Sequence, residues 1–311
     1  MAQPQTLRLW RPLRLPCTPI LLVLAILTAF PGIALALTPT GDNPSPSSPT
    51  SIVVMTANLG NGLADPAELV ASIRERDADF VALQEVTPEI AEVLLADLGN
   101  TYPYQEVRAL GIPGKALLSR YPITAVEWLE DNPGRPDLHA TVDMAGQSIQ
   151  LVVAHPPPPE LSGGLVNPRE GSADQYGRLV EIAANPEHPL LMLGDFNMIS
   201  LHERHFELES LGLQDVFGLV GRGAGFTYPE RIAPLPDWLA HPFVRIDYIW
   251  ASEEWEVLSA AVGDDISSDH LPVVAQLTLA GTLPTGETLT PAVRVMWSRM
   301  VPPVSLNRCA P

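Results

Sequence analysis

Short apolar runs recur over residues 51–279, and segments with helix or turn signals separate them. The first run, SIVVMT, is rich in β-branched residues and too short for a typical helix, so it predicts a strand. By the same criteria, strands are predicted at residues 51–56, 79–83, 116–118, 139–143, 148–154, 190–193, 246–251 and 273–279. A chain with this many strands must form at least one sheet.

Helices separate several of these strands. The clearest covers residues 65–77, with Asp65 as its N-cap and Glu68 closing a capping box. Pro66 suits the first helical turn, where no backbone N–H is needed. Further helices are predicted at residues 87–98, 173–184 and 201–211, and a hairpin turn at 144–147. The alternation of strands and helices indicates an α/β domain.

The N-terminal segment has the features of a targeting signal. Arg8, Arg11 and Arg14 form a positive region, and residues 18–36 are almost wholly apolar. Residues 34–36, Ala-Leu-Ala, provide the small residues of a cleavage site. An uncleaved membrane anchor is the alternative, because about 20 apolar residues can span a bilayer. Both readings predict that the rest of the chain is exported, so that it is periplasmic, secreted or anchored facing outward.

Composition divides the chain into four parts. Residues 1–37 are the signal peptide or anchor, and residues 38–50, rich in Pro, Ser and Thr, are a linker. Residues 51–280 hold every predicted strand and are expected to form one domain. Residues 281–311 show no clear period, and the sequence predicts no role for this tail.

The charge of the chain limits its partners. The formal net charge is −18, and because residues 1–50 carry +2, the remainder carries −20. Non-specific binding of nucleic acid depends on Lys and Arg side chains that neutralise phosphates, and Lys115 is the only lysine. The charge therefore disfavours nucleic acid and favours a small phosphorylated substrate, or one bridged by a divalent cation.

Polar side chains stand at the ends of the predicted strands, where rigid scaffolds commonly present catalytic groups. At or just past a strand end lie Asn58, Glu85, His155, Asp195, Asn197, Asp269 and His270, whereas Asp247 begins a strand. Each is ambiguous alone. Glu85 could instead cap the helix that follows it, and His155 could be an ordinary loop residue.

Two short motifs are more specific. In GDFN, at residues 194–197, an aspartate and an amide two positions apart point the same way if the backbone is extended. An Asx turn that closes the strand is the alternative. In SDH, at residues 268–270, an acid beside a histidine offers a metal ligand and a base in one loop. A buried structural histidine is the alternative there.

Taken in order, the motifs resemble a known family. TANLG, LQEV, GKALLSRYPI, VVAHP, GDFN, RIDYIW and SSDHLP are similar to motifs of the endonuclease/exonuclease/phosphatase superfamily, the DNase I-like proteins. The resemblance covers residues 51–279. It implies a four-layer α/β sandwich, in which two packed mixed β-sheets are flanked by helices and strand-end loops converge on one site.

The resemblance also implies a metal site. Glu85 corresponds to the principal metal-ligating carboxylate, with Asn58 beside it and Asp269 as a further acidic contributor. Oxygen ligands of this kind suit a hard divalent cation, so Mg²⁺ is expected, with Mn²⁺ or Ca²⁺ as alternatives. Cysteine ligands are absent from the motifs, which argues against zinc.

The remaining motif residues correspond to catalytic groups. His270 matches the catalytic histidine and Asp247 the carboxylate that orients it, and a histidine can serve as a base near neutral pH. Asp195 matches the residue that positions or deprotonates the nucleophile. Asn197 matches the amide that holds phosphate oxygens. His155 matches the histidine of the family's TH motif, although Ala154 and Pro156 replace the usual neighbours of that histidine.

Cations and tyrosines outside these motifs are weaker candidates. Lys115 and Arg169 are expected to contact phosphate, because the chain has few cations. Other residues fit a structural role as well as a substrate contact, namely Tyr102, Tyr104, Arg120 and Arg245.

Three functions remain open from the sequence. The favoured one is an exported, metal-dependent phosphohydrolase that cleaves a small or lipid-linked phosphoester by direct attack of water. The alternatives are a secreted nuclease and a non-catalytic binding module on the same fold. A monomer is expected, with membrane contact only through an uncleaved N-terminal segment.

Overall fold

The apolar runs of the sequence form the central strands of two six-stranded sheets. A computed structural model describes residues 51–162, 165–167, 169, 171–230 and 241–280. These residues all fall within one compact unit. The predicted signal or anchor, the linker and the tail lie outside the described residues.

In chain order the elements are β1 (Ser51–Asn58), α1 (Pro66–Arg76), β2 (Phe80–Gln84), α2 (Pro88–Leu98), β3 (Tyr104–Arg108), β4 (Lys115–Ser119), β5 (Ile123–Leu129), β6 (Asp137–Met144), β7 (Gln147–Ala154), β8 (Glu160–Ser162), β9 (Leu165–Asn167), α3 (Ser172–Ala184), β10 (Leu190–Asp195), α4 (Glu203–Ser210), β11 (Gln214–Asp215), α5 (Val216–Val220), β12 (Asp247–Ala251), β13 (Trp255–Val262) and β14 (Val273–Leu279).

Both large sheets are mixed. The first has the order β13-β14-β1-β2-β4-β3 and the second β11-β12-β10-β7-β6-β5. Within the first sheet β1 and β2 are parallel, and within the second β7 and β10 are parallel. The other pairs in these sheets are antiparallel. Strands β8 and β9 form a separate hairpin.

Three apolar clusters hold the layers together. The largest contains buried side chains from both sheets, such as Phe80 and Leu193, and fills the space between them. Helices α1 and α2 pack on the outer face of the first sheet, and α3 and α4 on that of the second. This helix–sheet–sheet–helix order confirms the predicted four-layer sandwich.

The start of α1 agrees with its sequence signal in one respect and differs in another. The Asp65 side chain accepts hydrogen bonds from the backbone N–H groups of Ala67 and Glu68, as an N-cap should. The Glu68 carboxylate does not close the predicted box. It accepts a hydrogen bond from Ser267 Oγ at 2.8 Å, so it ties α1 to the loop that carries Asp269.

The sequence did not predict the edge strands of the two large sheets, nor the hairpin of β8 and β9. Strands β3 and β13 border the first sheet, and β5 and β11 border the second. Most residues of β3, β5 and β13 are partly or fully exposed, so their sequences lack the apolar runs that mark the buried central strands. Among the described residues no helix is both long and apolar enough to span a membrane.

Gly194 allows β10 to approach β7 closely. Its φ is +152°, and a Cβ placed there would lie only 1.9 Å from the carbonyl oxygen of Ala154. We predict that Gly194→Ala lowers the free energy of unfolding by about 2–4 kcal/mol, because the strands must move apart or strain. Urea denaturation measures this change.

Gly177 provides the matched control for that substitution. It lies in α3, and a Cβ there would meet no atom within 4 Å. Gly177→Ala should stabilise the protein by up to about 1 kcal/mol, since alanine is the better helix former. Equal unfolding midpoints for Gly194→Ala and the native protein would contradict the close approach of the two strands.

Candidate active site

The two sheets meet through a hydrogen bond between the ends of β1 and β10. Asn58 Nδ2 donates to Asp195 Oδ2 at 3.0 Å, and both side chains are buried. The Asn58 Oδ1 accepts from the backbone N–H of Gly60 at 3.0 Å. Parallel strands of both sheets therefore end at the same place, and the loops that follow them surround it.

Asn197 folds back onto Asp195. Its backbone N–H donates to Asp195 Oδ1 at 2.8 Å, and its φ is +49°, so the predicted extended backbone is wrong although the two side chains still meet. The Asx turn is present instead. Asn197 Nδ2 donates to Asp195 Oδ2 at 3.1 Å and to Pro156 O at 2.9 Å. To hold a phosphate oxygen, this amide must release one of these acceptors.

His270 and Asp247 form a buried pair across the two sheets. His270 Nδ1 lies 2.9 Å from Asp247 Oδ2, and the ring of Tyr228 packs on the imidazole with centroids 4.6 Å apart. The other ring nitrogen, Nε2, lies 3.8 Å from Asp195 Oδ2. Asp195, Asp247 and His270 each place one ligand atom within 4.8 Å of those of the other two. This group is compatible with acid–base work and with a cation.

His155 lies on the other side of Asp195. Its Nε2 is 3.5 Å from Asp195 Oδ2 and 3.6 Å from Glu85 Oε1, and the side chain is 1% exposed. It is therefore part of the site and not an ordinary loop residue. Its backbone N–H donates to Asp137 Oδ1 at 2.8 Å, which fixes the loop despite the altered TH motif.

Glu85 and Asp269 complete the acidic side of the site. Thr87 is the N-cap of α2, so the capping alternative for Glu85 is wrong. The buried Asp269 Oδ1 has no hydrogen-bond partner among the described residues. A Cβ on Gly60 would lie 2.6 Å from this oxygen, which places Asp269 against the loop that follows β1.

Burial and neighbouring charges shift the pKa values of several of these groups. Burial raises the pKa of Glu85; Arg135 opposes this, and Asp195 and Asp269 raise the pKa further. Burial lowers the pKa of His155 to about 4, although Asp195 opposes the shift. His155 is therefore neutral at pH 7 and able to accept a proton.

His270 has the opposite charge state. Burial alone would lower its pKa, but the carboxylates of Asp247 and Asp195 raise it to about 10. The imidazole is then a cation at neutral pH and donates hydrogen bonds. This differs from the expected role of His270 as the base and favours a proton-donor role.

Comparison with known proteins shows the family. A model described as Endonuclease/Exonuclease/phosphatase family matches residues 55–270, a range that holds all the site residues above. The chain belongs to the endonuclease/exonuclease/phosphatase family. Members of this family are hydrolases that act on phosphoester bonds. A search of curated proteins gave no match.

Solved structures support this fold. An endonuclease/exonuclease/phosphatase from Beutenbergia cavernae is 25% identical, with a TM-score of 0.56, over 74% of this chain and 72% of that one. A variant of the 3′ phosphatase NExo from Neisseria, bound to product DNA hairpin, is 21% identical, with a TM-score of 0.57, over 72% and 98%. Humanized TDP2 from D. rerio is 18% identical, with a TM-score of 0.55, over 73% and 99%. The last two likenesses concern the fold alone.

The donor set of this family member fits a hard divalent cation. The carboxylates of Asp195 and Asp269 lie close enough to Glu85 to raise its pKa, and the Asp269 Oδ1 has no partner among the described residues to compete with a cation. Carboxylate and amide oxygens are the ligands that such cations prefer. The predicted ligands Glu85, Asn58 and Asp269 therefore remain suitable, and Asp195 adjoins them.

Arg135 is a site residue that the sequence did not predict. Its Nη1 lies 3.1 Å from His155 Nδ1 and 3.9 Å from Glu85 Oε1, so it brings a positive charge to the position where an anion would bind. Arg169 lies near enough to lower the pKa of Arg135. Arg135 comes before a strand and not after one, so the strand-end pattern could not reveal it.

Lys115 is not a phosphate contact, contrary to the sequence-based prediction. It is 0% exposed, and its Nζ donates to Pro136 O at 2.5 Å and lies 3.5 Å from Asp137 Oδ1. Gln175 Nε2 donates to Asp137 Oδ2 at 2.7 Å and to Arg135 O at 2.9 Å. The Lys115–Asp137 pair thus supports the loop that carries Arg135.

The other uncertain candidates prove structural. Arg120 pairs with Asp77 and Asp79, beyond the end of β2 that lies away from the site. Arg245 makes two hydrogen bonds of 2.7 Å to Asp215. Tyr102 donates to Ala78 O at 2.8 Å, and Tyr104 pairs with Ser119 at the same far end.

Proposed function

We propose that this chain is an exported phosphohydrolase that requires a divalent metal ion. It would cleave a small or lipid-linked phosphoester or phosphodiester by direct attack of water. The observation that carries the proposal is the position of Asp195, whose Oδ2 lies 3.5 Å from His155 Nε2 and 3.8 Å from His270 Nε2. A binding module has no need of such an arrangement.

The side chains would divide the chemistry as follows. Glu85, Asn58 and Asp269 would hold the cation, most simply Mg²⁺, which when bound stabilises negative charge on phosphate oxygens. Asp195, which already accepts hydrogen bonds from Asn58 and Asn197, would orient the attacking water. His155 can accept a proton, and His270 can donate a hydrogen bond to a phosphate oxygen or a leaving group.

Charge favours a small or lipid-linked substrate over nucleic acid. The −20 beyond residue 50 repels a polyanion. Among the described arginines and lysines, Arg135 is the one in contact with His155 and Glu85. One arginine and a bound cation suffice for a single phosphate group, whereas tracking along DNA uses many phosphate contacts. The features of residues 1–37 support export.

A panel of substrates tests this proposal. Turnover of bis-p-nitrophenyl phosphate, p-nitrophenyl phosphate, plasmid DNA and sphingomyelin is compared with Mg²⁺ and with EDTA. We expect turnover that EDTA abolishes and excess Mg²⁺ restores, and a preference for a non-nucleic substrate. Activity that survives EDTA would contradict the metal requirement, and a preference for DNA would favour the nuclease alternative.

Mg²⁺ binding can be measured without turnover. A cation that binds the folded state alone stabilises it by about 2.7 kcal/mol at a concentration of 100 Kd. We predict that Mg²⁺ raises the Tm of the native protein and that Glu85→Gln removes most of this increase. Glu92→Gln, at an exposed position of α2, is the control and should keep it. If Mg²⁺ raises the Tm of both variants equally, Glu85 is not a metal ligand.

A further inference from the structure

Six large apolar side chains are exposed on the loops that surround the site. Their exposed fractions range from 41% to 77%. This apolar rim consists of Leu63, Leu110, Ile112, Ile199, Leu201 and Phe243. Contiguous exposed apolar surface usually marks an interaction site, whereas scattered apolar residues need no explanation. The positions of these six relative to the site residues therefore decide whether they form an interaction surface.

The first three lie beside the acidic side of the site. Leu63 donates its backbone N–H to Gly60 O, and Gly60 in turn donates to Asn58 Oδ1. Leu110 and Ile112 flank Gly111, whose N–H donates to the carbonyl oxygen of Val86 at 2.9 Å. Val86 directly follows Glu85, so this loop lies against the predicted metal ligands.

The other three lie on the histidine side. Ile199 and Leu201 follow Asn197 by two and four residues. Phe243 donates its backbone N–H to Tyr228 O at 3.0 Å, and the Tyr228 ring packs on His270. Four separate loops thus carry exposed apolar side chains beside the residues of the site.

Three of the four loops that carry the rim have an uncharged segment. Residues 109–114 (ALGIPG), 198–201 (MISL) and 242–244 (PFV) contain no charged residue. The connections at the opposite end of the sandwich contain Asp77, Asp79, Glu253 and Glu254. The loop of Leu63 does contain an acid, Asp65. In a strongly acidic protein, three of the four segments that carry the rim are therefore uncharged.

We propose that the apolar rim docks on the surface of a zwitterionic lipid bilayer and so presents the site to a phosphoester in the headgroup layer. The proposal rests on the proposed function and specifies that the substrate is part of a lipid surface. A small soluble phosphate would not need apolar side chains on four loops. An anionic bilayer would be repelled by the acidic body, whereas a zwitterionic one carries no net charge.

Vesicle flotation tests this docking without any catalytic readout. The chain from residue 38 onward keeps every described strand and helix but lacks the N-terminal apolar run, which could itself bind lipid; the full chain is measured in parallel. We expect the shortened chain to float with phosphatidylcholine vesicles, and less when phosphatidylserine replaces part of the lipid. Leu110→Ser/Leu201→Ser should weaken binding about tenfold or more.

The control variant is Leu95→Ser/Leu258→Ser, two exposed leucines on α2 and β13 outside the rim. It should bind vesicles like the native protein, and both variants should hydrolyse bis-p-nitrophenyl phosphate normally. Equal binding by the two variants, or preference for anionic vesicles, would overturn the docking. So would a change of oligomeric state in the rim variant alone, which would make the rim a contact between copies.

Failure of the docking is distinguishable from failure of the proposed function. A protein that hydrolyses the soluble diester but does not float overturns the docking and leaves the hydrolase intact. A protein that floats through its rim but hydrolyses no substrate overturns the proposed function and leaves the lipid contact.

Discussion

Replacement of His270 by glutamine will lower kcat on a soluble phosphodiester by about 10²–10⁴-fold, the usual contribution of a general acid or base. The imidazole bonds Asp247 through Nδ1 and faces Asp195 through Nε2, whereas a glutamine amide has no acidic proton to give to a leaving group. Steady-state kinetics with bis-p-nitrophenyl phosphate and Mg²⁺ measures the effect. A change confined to KM would indicate that His270 only binds the substrate.

His205 offers a matched control for that variant. It is also buried, at 4% exposed, and its Nε2 lies 3.1 Å from Asp215 Oδ2. Its ring packs against Trp250 on the outer face of the second sheet, apart from the site. His205→Gln should therefore destabilise the fold much as His270→Gln does while leaving kcat unchanged. A similar loss of kcat in both variants would mean that the effect of His270→Gln comes from misfolding.

Lys115→Met will lower the free energy of unfolding by about 3–5 kcal/mol, the usual cost of removing one partner from a buried ion pair. Lys115 and Asp137 are 0% and 1% exposed, so the carboxylate would be left in the interior without its cation. Urea denaturation measures the change. Arg178→Met, which removes an exposed ion pair with Glu181, should cost about 1 kcal/mol or less.

The double variant Lys115→Met/Asp137→Asn separates charge from packing. A neutral amide can still accept from His155 N–H, so this variant should recover part of the stability that Lys115→Met loses. The interaction energy from the double-mutant cycle then measures the pair itself. If the free energy of unfolding of Lys115→Met lies within about 1 kcal/mol of the native value, the pair does not stabilise the fold.

The sequence predicted the interior of the fold better than its edges, for a physical reason. Central strands such as β2 and β10 are buried on both faces, so apolar runs mark them directly. Edge strands such as β5 have exposed faces, and their composition does not distinguish them from loops. Their pairing depends on a neighbour that is distant in sequence, which a local pattern does not contain.

The same reasoning applies to the site. Residues that follow strands, such as Asn58 and Glu85, were found because the strand itself points to them. Arg135 precedes a strand and Gln175 faces inward from a helix, so neither has a local signal. Lys115 was wrongly predicted to contact phosphate because a charged side chain is usually exposed and the chain has few cations. The fold instead buries it beside Asp137.

The hydrogen bond between Asn58 and Asp195 joins two half-sites that neither sheet can supply alone. Glu85, Asp269 and His270 belong to the first sheet and its loops, whereas His155, Asp195 and Asp247 belong to the second. A form in which both sheets keep their strands but separate along the apolar layer between them would have every catalytic side chain and no catalytic centre. The activity of this protein therefore depends on contact between its two sheets. It should be lost as soon as the sheets begin to separate, before either sheet loses its strands.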